Sequence, residues 1–239
     1  MKLPFDKCYC LHIAESSDRY INIKTQLNKL GIEDQVEMWW TTKRPLSTKI
    51  GEMITTLHTE AYDRIRDGWN KDLYGAVYNV SLEFYTMIKQ AYLRGFETIL
   101  FMEDDIQFID EYDYEYLFSH LPNDWDIIRF GFMGHHDEKL RKHKLYNECN
   151  DLLLNIDDIC FGGMQLVAFN RKAMQYYINY MDNKFEYADA PLTFYFKEEN
   201  QKFIPDNQKL NVYFARQSVV NADNIRSTIN SNILYKDEI

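Results

Sequence analysis

The 239-residue chain lacks any apolar run close to the roughly 20 residues that an α-helix needs to span a bilayer. Residues 1–6 lack the apolar segment of a secretory signal, and an acidic residue already stands at position 6. Internal repeats, low-complexity tracts and a clear interdomain linker are also missing from the sequence. The sequence therefore predicts a cytoplasmic protein with at most peripheral contact to a membrane surface.

Basic residues are scarce relative to acidic ones. The chain has 27 Lys and Arg against 37 Asp and Glu, which gives a formal net charge of −10. Nucleic acid is disfavoured as a partner, because phosphate backbones are bound by clustered Lys and Arg side chains. A phosphorylated small molecule remains compatible with this balance, since a bound metal ion can neutralise its charge.

Cysteine is also infrequent, with four residues at positions 8, 10, 149 and 160. The spacing of Cys8 and Cys10 is not that of a structural zinc site. Buried free thiols are the expected state of these side chains, which agrees with a reducing compartment.

Hydrophobic residues make up 46% of the chain and aromatic residues 15%, as in a globular protein. Residues 8–13 predict a strand, residues 20–30 a helix that ends at Gly31, and residues 36–40 a second strand. Strand, helix and strand within such a short stretch form a βαβ unit. The fold class is therefore α/β.

Further elements follow the same logic. Residues 75–95 have the apolar spacing of a helix, and residues 98–102 form an apolar strand. Another strand is predicted over residues 124–131. Residues 159–169 predict a loop that leads into a strand, and a helix follows Asn170. Residues 41–74 show no clear pattern, and we expect a loop with short helices there.

The strand at residues 98–102 runs directly into three acids, Glu103, Asp104 and Asp105. Adjacent carboxylates repel, and a hard divalent cation such as Mg²⁺ or Mn²⁺ is the usual partner that holds them together. Alternate residues of an extended segment share one face, so Glu103 and Asp105 can point to the same cation. The alternative is a solvated turn, in which Asp is common.

These segments, taken in order, resemble glycosyltransferase family 25, the group of lipooligosaccharide and collagen galactosyltransferases. The central match is the strand and Glu-Asp-Asp signature at residues 99–106, and the likeness extends over roughly residues 7–225. Weaker matches lie at residues 15–19, 124–131, 161–173, 187–192 and 217–218.

The resemblance implies a GT-A-like single domain over residues 1–239. Residues 1–110 would form a Rossmann-like nucleotide-sugar half and residues 111–239 the acceptor half, around a mixed, mostly parallel sheet flanked by helices. The implied activity is a metal-dependent, inverting transfer of a hexose, galactose or glucose, from a UDP-sugar. The implied acceptor is an oligosaccharide, a lipid-linked glycan such as lipopolysaccharide, or a glycoprotein.

The resemblance also implies roles for individual residues. Asp105, with Glu103, would bind Mn²⁺ or Mg²⁺, and Asp104 or Glu103 would contact the ribose or a metal-bound water. Arg19 would contact the phosphate or nucleotide, and its alternative is an exposed Arg at the start of a helix. His12 stands where the family usually carries an Asn at the donor site.

Asp189 is the expected general base, because the family carries a comparable Asp before an apolar residue. The alternative for Asp189 is an ordinary helix N-cap ahead of Pro191. Asp126 is expected to be structural, and residues 135–137, which read His-His-Asp, to form a polar loop. The glycine pair at residues 162–163 indicates either close backbone approach to a ligand or a bulge.

Two other functions fit the same sequence. A protein with this fold could bind a sugar nucleotide without turning it over. A metal-dependent phosphohydrolase also carries acids at a strand end, although residues 104–107 lack the Thr or Val that follows Asp-x-Asp in haloacid-type enzymes.

Overall fold

A computed structural model describes residues 1–42, 71–131, 146–148, 152–156, 163–193, 195–216 and 218–221. Strands β1 to β10 are, in chain order, Lys7–Ile13, Val36–Thr41, Thr98–Glu103, Gln107–Phe108, Ile127–Arg129, Tyr146–Glu148, Leu153–Ile156, Leu166–Asn170, Val212–Ala215 and Val220–Asn221. Helices α1 to α6 are Ser17–Lys29, Lys71–Leu93, Tyr114–Ser119, Arg171–Asn183, Ala190–Thr193 and Glu198–Gln201. Two 3₁₀ turns lie at Glu33–Gln35 and Pro205–Asn207.

Eight of these strands form one sheet in the order β2-β1-β3-β8-β5-β9-β7-β6, and β4 pairs with β10 in a separate ribbon. The predicted α/β class, with a mixed central sheet flanked by helices, is confirmed. Parallel pairs join β1 to β2, β1 to β3 and β5 to β9, whereas the other pairs of this sheet are antiparallel. The first three strands of the chain, β1, β2 and β3, are therefore parallel to one another. Helix α1 lies in the crossover connection that the parallel pair β1 and β2 requires.

Both faces of the sheet are covered, because alternate residues of its central strands enter different cores. Leu100 and Met102 of β3 pack in a cluster with residues of α1 and α3. Ile99 and Phe101 pack on the opposite face, in a cluster with residues of α2 and α4. The near-continuous apolar pattern of β3 thus reflects a strand that is buried on both sides.

The predicted helices form, with one boundary that differs. Helix α1 buries Ile23 and Leu27 and ends ahead of Gly31, which adopts a φ of +67°. Helix α2 begins at Lys71, so it includes residues 71–74, which the sequence interpretation had assigned to a loop. Helix propensity persists through these residues even though they show no clear apolar periodicity. Residues 43–70 lie outside the described part of the chain.

Asp126 has the structural role that was predicted. It is 5% exposed, and it accepts hydrogen bonds from the Asn211 backbone N–H at 2.8 Å and from the Asn170 side-chain amide at 2.7 Å. The Lys172 ammonium lies 3.2 Å from the same carboxylate. This network joins the amino-terminal end of β5 to the start of α4 and the segment before β9.

Cys8 and Cys10 are buried free thiols, as predicted, while Cys149 and Cys160 lie outside the described residues. Burial raises the pKa of the Cys8 thiol to about 12, so this thiol stays protonated and inert. Over the described ranges, the helices include none with the length and apolar character needed to cross a membrane.

Candidate functional site

The predicted acids lie at one edge of the central sheet. Strands β1, β2 and β3 are parallel, so their carboxyl ends share this edge. Strand β8 runs antiparallel to both β3 and β5, which brings the start of β8 and the end of β5 to the same edge. The backbone N–H of Glu103 donates to the Gln165 carbonyl at 3.1 Å, which fixes this juxtaposition. Open α/β sheets bind ligands at such carboxyl ends.

Asp104 is engaged by the protein's own residues. Its carboxylate lies 2.7 Å from His12 Nδ1, accepts from Arg19 Nη1 at 3.0 Å and accepts from the Ile13 backbone N–H at 3.4 Å. His12, Arg19 and Asp104 are 1%, 5% and 4% exposed. The positive charge that compensates Asp104 is therefore the Arg19 guanidinium. The sequence had predicted that Arg19 contacts phosphate or nucleotide.

Asp105 is only partly compensated. Its Oδ2 lies 3.3 Å from Arg19 Nη2, and its side chain is 13% exposed. Its Oδ1 is buried and has no hydrogen-bond partner within the described residues. Strand β3 ends at Glu103 and residues 104–105 form a turn, so the strand alternation that was predicted to align Glu103 with Asp105 does not extend to Asp105.

Glu103 lies in the most negative part of this edge. Burial, followed by the charges of Asp105, Asp104 and Asp189, raises the pKa of Glu103 well above its ordinary value, and Arg19 opposes this. Burial likewise raises the pKa of Asp105. The fold has therefore brought Asp189 within electrostatic range of the acid cluster, although it follows in a distant part of the sequence.

Asp189 lies at the start of α5, and its side chain bonds a residue of a different segment. Its backbone carbonyl accepts from the N–H groups of Leu192 and Thr193, as expected of the residue that begins α5. Its carboxylate Oδ2 instead accepts the Gly163 backbone N–H at 2.7 Å. Gly163 has a φ of +93°, which favours glycine, and a Cβ there would meet Gln165 Oε1 at 2.4 Å. The backbone conformation and the nearby Gln165 side chain therefore both favour glycine at position 163, and the predicted approach to a ligand stays a prediction.

Arg129 belongs to this site and was missed by the sequence interpretation. It is 1% exposed, its guanidinium lies 5.5 Å from the Phe214 ring centre, and its Nη2 donates to the Gly163 carbonyl. Burial lowers the pKa of Arg129 to about 10, and the Asp189 charge opposes this. The available signal was a charged residue within the apolar segment 127–130, because Arg is rarely buried unless paired.

Acidic side chains outnumber basic ones at this edge. Four carboxylates, those of residues 103, 104, 105 and 189, face the guanidiniums of Arg19 and Arg129. The uncompensated charge and the free oxygen of Asp105 fit a hard divalent cation. Among the described residues, no three His, Cys, Asp or Glu side chains converge well enough to hold a metal alone. Such a cation would take its other ligands from phosphate and water, as Mg²⁺ usually does.

The raised pKa of Glu103 predicts a pH-dependent stability of the metal-free protein. In the unfolded chain Glu103 titrates near its ordinary pKa of 4.5, whereas the folded chain retains the proton to higher pH. Folding stability is therefore greatest below pH 4.5 for this group and falls as pH rises through the folded pKa, by up to about 1.4 kcal/mol per pH unit. We expect Glu103→Gln to flatten this decline in urea unfolding experiments, measured in EDTA from pH 5 to pH 8.

The matched control is Glu111→Gln, which neutralises an exposed carboxylate. This variant should retain the decline seen in the unmodified chain. An identical pH dependence in Glu103→Gln and Glu111→Gln would contradict the assigned environment of Glu103.

Several predicted features lie outside the described residues. These are the His-His-Asp segment at residues 135–137, residues 157–162 ahead of Gly163, and Gln217.

No family model matches the chain, and a search of curated proteins finds no significant match. Solved structures do match. One is the crystal structure of A197 from STIV, with a TM-score of 0.42 and 10% identity, over 89% of this chain and 81% of that chain. Another is a glycosyltransferase involved in the glycosylation of the major capsid of PBCV-1, with a TM-score of 0.40 and 10% identity, over 87% of this chain and 91% of that chain. Both TM-scores lie below 0.5, so the residues of this chain, and not these matches, carry the argument for its function.

Proposed function

We propose that this chain is a metal-dependent glycosyltransferase, related to family 25, that moves a hexose from a UDP-sugar to a glycan acceptor. Galactose or glucose is the proposed hexose. An oligosaccharide, a lipid-linked glycan or a glycoprotein is the proposed acceptor. The proposed arrangement has a nucleotide-sugar half in residues 1–110 and an acceptor half in residues 111–239.

The observation that carries this proposal is that Glu103, Asp105 and Asp189 lie at one sheet edge, where acidic side chains outnumber basic ones. A sugar-nucleotide transferase needs a site for a diphosphate and its cation beside a base for the acceptor hydroxyl. The charge of Asp189 raises the pKa of Glu103, so the proposed base lies near the proposed metal site. Both lie where α/β sheets bind nucleotide ligands.

On the donor side, Glu103 and Oδ1 of Asp105 would hold Mn²⁺ or Mg²⁺, which supplies Lewis-acid stabilisation for a departing diphosphate. Arg19 keeps Asp104 and Asp105 in place through contacts of 3.0 and 3.3 Å. His12 holds the other oxygen of Asp104 at 2.7 Å. Arg19 and His12 therefore act by orienting the acids from within the protein.

On the acceptor side, Asp189 would serve as general base. Its carboxylate takes the proton of the acceptor hydroxyl while the oxygen forms its bond to the anomeric carbon. The bond from that carbon to the diphosphate oxygen breaks, and UDP leaves. The Gly163 N–H, 2.7 Å from Oδ2, orients the carboxylate for this transfer.

The test is a thermal-shift comparison of UDP-galactose and UDP-glucose, each with and without Mn²⁺. Ligand at 100 times its dissociation constant stabilises the fold by about 2.7 kcal/mol, which gives a clear rise in melting temperature. We expect a Mn²⁺-dependent shift with one of the sugars, and no shift in Asp105→Ala. Asp110→Ala is the matched control, because Asp110 is 74% exposed and bonds Lys29. The absence of any shift in the unmodified protein would refute the proposal.

A second function is favoured by one observation, the contact of Arg19 with both Asp104 and Asp105. An internal cation at this position supports a protein that binds a sugar nucleotide without transferring the sugar. Such a protein would show the thermal shift yet release no UDP with any acceptor.

A further inference from the structure

Two aromatic rings, Tyr20 of α1 and Trp40 of β2, form a surface beside the acid cluster. Their ring centres are 5.1 Å apart, and Trp40 is 54% exposed. The His12 ring contacts both, with ring centres 4.8 Å from Trp40 and 5.3 Å from Tyr20. Trp40 lies near the carboxyl end of β2, at the edge where open α/β sheets bind ligands.

The strand that carries Trp40 is held firmly in place. The Trp39 indole N–H donates to Glu83 Oε2 at 2.9 Å, and the Thr41 hydroxyl donates to Glu83 Oε1 at 3.0 Å. Alternate residues of a strand point to opposite faces, so Glu83 fixes the residues on either side of Trp40 from the far face. Trp40 is also the register partner of His12 in the β1–β2 pair. The neighbours of Trp40 and its strand register therefore fix the backbone position of Trp40.

His12 supplies a second, independent observation. Its ring is 1% exposed, and Nε2 has no hydrogen-bond partner within the described residues. Its Nδ1 is already engaged by the Asp104 carboxylate at 2.7 Å. A buried ring nitrogen without a partner costs free energy until a polar group of a ligand satisfies it, so Nε2 is available to a ligand.

The contacts run in order from the acids to the aromatic rings. Asp105 contacts Arg19, Arg19 contacts Asp104, Asp104 contacts His12, and His12 contacts Trp40. Strand β2, which carries Trp40, is at one end of the sheet, whereas Asp189 bonds Gly163 ahead of β8, on the other side of β3. An elongated ligand whose diphosphate lies at Asp105 therefore has the Tyr20–Trp40 surface at one end, on the side away from Asp189.

We propose that Tyr20 and Trp40 form the stacking surface for the nucleobase of the donor, an inference that rests on the proposed function. A nucleobase offers a flat π face to an aromatic side chain, and such stacking contributes to binding whatever the base. Bases also carry polar edge groups, N–H donors and carbonyl or ring-nitrogen acceptors, with which His12 Nε2 can form a hydrogen bond. A hexose bound here would leave its anomeric carbon remote from Asp189, the proposed base.

The experiment compares UDP with inorganic pyrophosphate, both in the presence of Mn²⁺, by isothermal titration. We expect Trp40→Ala to weaken UDP binding about ten-fold or more, which is the loss of one stacked base. Pyrophosphate, which lacks a base, should bind the variant as it binds the unmodified protein. Trp40→Phe should retain most of the UDP affinity, and its melting temperature reports whether β2 is intact. Tyr116→Ala, which removes another exposed aromatic side chain, is the control.

The outcomes separate this inference from the proposed function. Equal losses for UDP and pyrophosphate in Trp40→Ala, unchanged UDP affinity in that variant, or no binding of UDP by the unmodified protein would each overturn the stacking surface. Sugar transfer with an unchanged donor KM in Trp40→Ala would overturn it while leaving the transferase intact. Base-dependent UDP binding without transfer would support the stacking surface and refute the transferase.

Discussion

Asp189→Asn is expected to lower the rate of sugar transfer about 10²- to 10⁴-fold while leaving the affinity for UDP unchanged. The amide cannot take the proton of the acceptor hydroxyl, but its oxygen can still accept the Gly163 N–H that Asp189 Oδ2 binds at 2.7 Å. The substitution is close to isosteric, so the loop that carries Asp189 should keep its position. The measurement is kcat from UDP release, together with the dissociation constant of UDP by titration.

The matched control for this variant is Asp206→Asn. Asp206 is exposed and has a φ of +58°, a conformation that Asn tolerates well. This control should transfer sugar at the rate of the unmodified protein. A full transfer rate in Asp189→Asn would remove Asp189 from the role of base and leave it as a residue of the α5 helix start.

Arg19→Met is expected to destabilise the metal-free protein by about 3–5 kcal/mol, the usual cost of breaking a buried ion pair from one side. Arg19 is 5% exposed and lies within 3.3 Å of both Asp104 and Asp105, which have 5% and 13% exposed side chains. Removing the guanidinium leaves these carboxylates next to Glu103 with less compensation. The free energy of unfolding in urea, measured in EDTA, gives the size of the loss.

The same variant tests the metal site. If Mn²⁺ binds at Glu103 and Asp105, saturating Mn²⁺ should restore part of the lost stability in Arg19→Met, because a cation again balances the acids. Lys29→Met is the control, since Lys29 is 63% exposed and its pair with Asp110 contributes about 0–1 kcal/mol. A loss below 1 kcal/mol in Arg19→Met would show that the acids do not depend on this cation.

The periodicity of the sequence was sufficient to predict the main elements. The apolar run of β3, the α1 spacing that buries Ile23 and Leu27, and the Asn170 cap of α4 are each visible over a few residues. Local patterns of this kind depend on which face of a segment is buried, and not on which other element packs against that face. The same patterns carry no information on strand direction, so the antiparallel place of β8 between β3 and β5 had to come from the fold.

The acid cluster shows the same division. Glu103, Asp104 and Asp105 stand together in the sequence, and their mutual repulsion required a cation nearby. A sequence alone does not identify that cation, because a bound metal and a distant guanidinium relieve repulsion equally well. The packing of α1 against the sheet places Arg19 3.0 Å from Asp104. Only this packing identifies a guanidinium as the cation that compensates Asp104.

Composition, charge, helix and strand positions and the acids at the end of β3 were determined by the sequence itself, since each depends on neighbouring residues. The tertiary structure alone decided that Asp189 influences Glu103, that Arg129 joins the site, and that Trp40 meets Tyr20 and His12. These contacts join residues that are far apart in the chain. They exist because the strand order of the sheet brings separate strand ends to one edge.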